Sequence, residues 1–299
     1  LEDKGFEEVE FDGWPLLHPH YSRLLPAKIG VLALADLMST QKAPVVSMDT
    51  YKISGYDIAE ECSVELNAFE KENKITRTSK LSTGLPKPKP YDGEITATEA
   101  LAEQRWKDKV FGKMRKSKET GKYSFEGEMM ALGLIKIWRK DKEFQITLTE
   151  LGKKFVLKDN PVVSGEYKHG RESFFEDEKG FIVREIIPKR KLELTLCKTA
   201  IGIIRNEDVL SGNMADYLDK MFKEKIEEFC EKKSLFSEKI SNDFLNNNDS
   251  TINPIQGLRA ATMGRLSEIG LVSWEIDEHS RSKYKIRDDK LSEIIHPAK

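Results

Sequence analysis

Two short strings, Leu132-Gly-Leu-Ile135 and Ile269-Gly-Leu-Val272, constrain this chain more than any other feature. Each follows a stretch whose apolar residues recur three and four apart, the spacing of one helical face. Each precedes a run that alternates around a charged turn, the spacing of a hairpin. Glycine at such a junction supplies the left-handed backbone that stops a helix without steric cost. The same plan is therefore expected twice, a helix running through a glycine stop into two short strands, at 136–148 and again at 273–286. The echo is architectural, because the two sequences do not repeat one another.

The second copy extends backwards into a complete module over 212–286. Residues 213–230 place Met214, Tyr217, Leu218, Met221, Phe222, Ile226 and Phe229 on one stripe, as an amphipathic helix requires. A second helix is expected over 236–245, with Ser237 as its cap. The Asn/Asp/Ser cluster at 246–250 breaks it, since these side chains bond their own backbone. Pro254 suits the first turn of a third helix, along which Ile255, Leu258, Met263, Leu266 and Ile269 are spaced for burial.

The first copy is less regular. A buried helix is expected over 22–41, a short strand over 44–48 and a second helix over 55–62, yet the glycine stop is reached only at Gly133. The intervening stretch holds the proline-rich run 85–90 and a basic segment, 97–118, that reads as helical. Beyond the hairpin, Thr147 or Thr149 is placed to cap a short closing helix.

The helix, glycine stop and paired strands resemble the recognition helix and wing of the winged-helix superfamily, and the closing helix is common there. The resemblance covers about half the chain and implies a mainly α fold with small β-hairpin wings. The expected organisation is two tandem winged-helix units joined by a helical linker. They are a first unit over 1–163 with a basic insertion at about 70–120, a linker over 164–211, and a second unit over 212–299. In this superfamily the third helix commonly enters the major groove while the wing reaches phosphate or the minor groove. On that basis the solvent face of the second unit's third helix offers Gln256, Arg259, Thr262 and Arg265, and its wing offers Arg281 and Lys283. Gln reads adenine and Arg grips guanine bidentately.

A net charge of −2 argues against simple attraction to nucleic acid, but the charge is segregated. Residues 1–13 carry six acids and one base, whereas 104–154 carry fourteen bases and seven acids. Backbone contacts are expected from Lys74, Arg77, Lys80, Arg115, Lys116, Lys118 and Lys122, and from Arg139, Lys140 and Lys142 at the tip of the first wing. Trp138 and Trp274 are read as packing residues.

Chemistry beyond binding has little support. Glu72-Asn-Lys74 and Glu166-Tyr-Lys168 match the short part of a nuclease motif but lack a strand-like setting. His18-Pro-His20 has no acidic or cysteine partner in ligand spacing, and no phosphate loop or nucleophile elbow occurs. No catalytic residue, metal or cofactor is assigned. Three dispersed cysteines fit a reducing, cytoplasmic setting, and no apolar run reaches membrane-spanning length. The lack of an initiator methionine leaves room for a further domain of a longer polypeptide, a nuclease domain included.

The expected function is binding of double-stranded DNA, with sequence specificity. A transcription regulator, a replication initiator and the target-recognition domain of a restriction enzyme all fit. The alternative is a scaffold in which the winged-helix units dock proteins.

Overall fold

In the computed structural model both glycine stops form: Gly133 and Gly270 each take a left-handed backbone with φ of 72°. The structure describes residues 5–89, 96–116, 118, 121, 123–206, 213–246, 253–278 and 281–297. Within these the chain is mostly helical with small antiparallel hairpins. It divides into two compact units. Unit 1 comprises Leu1–Gly13, Leu24–Ile75 and Lys80–Glu178, and unit 2 comprises Trp14–Arg23, Thr76–Ser79 and Lys179–Lys299. The stretch read as a linker, 164–211, is shared between them.

Unit 1 begins with strand β1 (Glu7–Val9), then helix α1 (Leu25–Thr40), strand β2 (Val46–Ser47) and helix α2 (Met48–Glu72). Pro26 sits in the first turn of α1, where its missing N–H costs nothing, and the helix is buried along most of its first half. Helix α2 starts at Met48, not at Gly55, and runs for 25 residues. Gly55 is tolerated mid-helix because the ring of Phe111 lies 2.9 Å from where a Cβ would stand.

Helix α3 (Ala97–Val110) is opened by a capping box in which Thr96 and Glu99 satisfy each other's backbone. The basic segment 97–118 is helical only in this first part. The helix ends at Phe111-Gly112, where Gly112 has a φ of 101°, and the chain turns into a hairpin, β3 (Lys113–Lys116) and β4 (Tyr123–Glu126). A single turn, α4 (Glu128–Ala131), leads to the glycine stop, so no long helix precedes it. The hairpin expected as the first wing follows as β5 (Ile135–Lys140) and β6 (Glu143–Leu148), and α5 (Glu150–Val156) closes it. Of the two threonines placed to cap α5, Thr149 does so, accepting from the amide of Gly152.

The wing belongs to a four-stranded antiparallel sheet of order β1-β5-β6-β2. Its inner row includes Ile135, Ile137, Ile146 and Leu148, all buried. Short helices α6 (Pro161–Ser164), α7 (Tyr167–Gly170) and α8 (Glu176–Phe181) follow. Buried among them, the Lys28 ammonium lies 3.0 Å from Glu178 and donates to the carbonyls of Phe155 and Lys158 at 2.7 Å. Asn160 and the amide of Phe175 satisfy the same carboxylate.

In unit 2 the long helices are α9 (Lys191–Arg205), α10 (Met214–Glu231) and α12 (Pro254–Glu268), with the one-turn α11 (Ser237–Ile240) before a wider turn at Ser241–Leu245. Asn253 caps α12, and Pro254 fills its first turn. The expected Ser237 cap does not form: Phe236 holds the cap position and the Ser237 hydroxyl pairs with that of Ser234 at 2.9 Å. The hairpin expected as the second wing is β7 (Val272–Ile276) with β8 (Ser282–Ile286), and α13 (Asp289–Ile295), capped by Asp288, closes the unit.

Candidate nucleic-acid interface

The presumed reading face of α12 is covered by the unit's own chain. Thr262 is 0% exposed and Arg265 2% exposed, so neither lies on a solvent face. Arg265 donates to Glu193 at 2.6 Å, to the carbonyl of Tyr21 at 2.5 Å and to the Thr262 hydroxyl at 3.1 Å. Alongside, Arg23 donates to the carbonyl of Gly264 at 2.5 Å. The physical reason is close approach: a Cβ on Gly264 would stand 2.8 Å from the carbonyl oxygen of Ser22, so segment 14–23 lies directly on this side of the helix.

Arg259 is committed as well, to Asp219 at 2.7 Å and to the Tyr284 hydroxyl at 3.0 Å. Burial works against its charge, but the hydrogen bonds and charges of Asp219 and Tyr284 outweigh it and raise its pKa above the usual value. Of the four expected readers only Gln256 is fully exposed. On the wing of unit 2, Arg281 and Lys283 are exposed, and Asp277 lies within 3.1 Å and 3.7 Å of them. Trp274 packs on Tyr284 with ring centroids 5.9 Å apart and donates to Ser282.

Unit 1 gathers its cations differently. The register of the β3–β4 hairpin places Lys116 opposite Tyr123 and Met114 opposite Phe125, and that of the wing places Arg139 opposite Phe144. Phe125 packs on Phe144 at 5.9 Å between centroids, and the Arg139 guanidinium lies 4.9 Å over the ring of Tyr123. The two hairpins thus meet through an aromatic layer. Tyr123, which the sequence reading did not single out, remains 54% exposed at its rim. Its signal was the alternation Tyr123, Phe125 that marks one strand face.

Lys116, opposite Tyr123 in the ladder, is exposed, as are Lys118 between β3 and β4 and Lys142 between β5 and β6, with Lys140 exposed on the other face of β5. Arg115 points away and pairs with Glu126 across the hairpin. Lys122 lies outside the described residues. Lys74 and Arg77 are exposed and Lys80 half-buried, but they are split between the units, Arg77 falling in the segment assigned to unit 2. Below the hairpins, burial pulls the pKa of Lys52 down while Asp108 pulls it up, and Lys109 is likewise lowered by burial against the pull of Glu128.

The nuclease-like triplets sit elsewhere, Glu72 and Lys74 at the exposed end of α2 and Glu166 and Lys168 flanking buried Tyr167. The rings of His18 and His20 stack at 4.5 Å. Among the described residues no group of three or more His, Cys, Asp or Glu is arranged to hold a metal, and no helix is long and apolar enough to cross a membrane. Comparison with protein-family models, with curated proteins and with solved structures finds no match.

Proposed function

We propose that the chain binds double-stranded DNA through the two hairpins of unit 1 and that both units are variants of the winged helix. The observation that carries the binding reading is the stacking of Arg139 on exposed Tyr123, which joins the wing tip to a second basic hairpin. An exposed aromatic ring beside Arg139 and opposite Lys116, on hairpins that also carry exposed Lys118 and Lys142, suits a phosphate backbone, because local positive charge governs such binding even in a chain of net charge −2. For unit 1 the winged-helix reading is supported by the order helix, short strand, helix, hairpin, with β2 paired to the second hairpin strand. For unit 2 it is supported by three helices followed by a hairpin.

The grip therefore lies on the hairpins of unit 1 and not on α12, where the sequence pattern put the reading residues. Contacts to phosphate position a protein without reading sequence. With Arg259, Thr262 and Arg265 engaged internally, binding is expected to tolerate changes of sequence.

The test is fluorescence anisotropy with a mixed-sequence duplex across a salt series. Replacing Lys116, Lys118, Arg139 and Lys142 by Ala should flatten the dependence of log K on log salt by about 0.9 for each phosphate that is no longer neutralised. Binding by the quadruple variant as tight as wild type overturns the assignment. The internal commitment of α12 favours a second reading for unit 2 alone, a protein-docking module, and loss of duplex binding on the quadruple change of unit 1 is the outcome that agrees with it.

A further inference from the structure

Strand β1 lies along the outer edge of β5, with Glu7 opposite Arg139, Glu8 opposite Trp138 and Val9 opposite Ile137. Side chains alternate along a strand, so Glu7 shares the face of Arg139, and Glu8 shares the face of Lys136 and Trp138. Val9 is buried and anchors the strand, while both acids are exposed. The Glu8 carboxylate lies 3.2 Å from the Lys136 ammonium, and the Lys140 ammonium lies 5.8 Å from the ring centroid of Phe6. Strand β1 also touches β4, which carries Tyr123. Residues 6–12 hold four acids and no base.

This strand contributes little apolar surface to the sheet, and its charges are matched to the cations of the wing. We propose that β1 is an acidic strap, an intramolecular competitor whose Glu7 lies beside Arg139 on the binding face while Glu8 tethers the strand to Lys136 on the other face, until the phosphates of a duplex displace it. The inference rests on the reading of the double hairpin as a phosphate-binding surface and adds its regulation. Exposed ion pairs are weak, whereas a run of phosphates gains from the counterions it releases, so a long polyanion wins where a single anion does not. The pairing spans three residues, and β5 keeps its full pairing with β6 when the strap leaves. The strap thus sets a threshold for binding without unfolding the unit.

Two variants of equal charge test this. Glu7→Gln with Glu8→Gln neutralises the strap and keeps its backbone. Glu61→Gln with Glu65→Gln removes the same charge from the exposed face of α2 in the same unit. In the duplex titration the strap variant should bind several-fold tighter than wild type at low salt. It should also steepen the salt dependence by about 0.9 for each additional phosphate neutralised. The α2 variant should change either quantity far less. Equal tightening in both variants, or none in the strap variant, overturns the strap. Loss of affinity on replacing Arg139 and Lys142 by Ala would then show that the binding surface itself stands. Absence of duplex binding in wild type and in both variants removes the phosphate-binding reading, and the strap with it.

Discussion

At the scale of single residues, a charged side chain on a helix means one thing when its partners are local and another when they are not. Arg265 reads as solvent-facing because nothing within a helical turn explains it. Its partners Glu193 and Tyr21 are 72 and 244 residues away in sequence. Gln256, near the helix start and exposed, was legible for the same reason that Arg265 was not. Removing one member of a buried pair strands the other's charge, so Arg265→Ala should destabilise unit 2 by about 3–5 kcal/mol. Hydrogen exchange would register this as reduced amide protection in α9 and α12, and wild-type protection would show the pair to be dispensable. Lys28→Met should cost unit 1 a similar amount, about 3–5 kcal/mol in a urea titration, because Glu178 stays buried. Combined with Glu178→Gln, the destabilisation should be smaller than the sum of the two single changes, as expected for directly coupled groups.

At the scale of elements, the features that depend on local chemistry were readable and those set by distant packing were not. The core of the α10 stripe at Leu218, Phe222 and Ile226 (though not Tyr217, which is exposed), the Asn253-Pro254 start of α12, the Thr149 cap and both glycine stops lie in the sequence as spacing and backbone preference. The extent of α2 was not, since its first turns are held by Met48, Tyr51 and Gly55 packed against residues far along the chain. Nor was the β3–β4 hairpin, whose only strand signal is the alternation of Tyr123 and Phe125 over two positions, too short to stand out until these rings find Arg139 and Phe144. A side chain at a left-handed position costs about 1–2 kcal/mol. Gly133→Ala and Gly270→Ala should each lower stability by about that amount, with the hairpin that follows losing hydrogen-exchange protection first. Neutral substitution at either site would show that the stop is set by packing instead.

At the scale of the whole molecule, the proposed DNA binding would work against a net charge of −2 and rest on local cations, so duplex affinity should fall steeply with salt. A duplex affinity unchanged between about 50 and 200 mM salt would contradict an electrostatic grip. The folding of unit 2 has a different consequence, which follows from its being built of three stretches of chain. Pro15 accepts from the amides of Leu192 and Glu193, and the amide of Leu17 donates to the Glu193 carboxylate 176 residues later. A ribosome adding about 5–20 residues per second needs on the order of ten to thirty seconds to deliver those partners. During that interval the nascent Leu16 and Leu17, buried in the finished protein, wait for the rest of unit 2 to emerge. Unit 2 is consequently the late-maturing half of the chain, and its early segment is the part that a chaperone would have reason to hold.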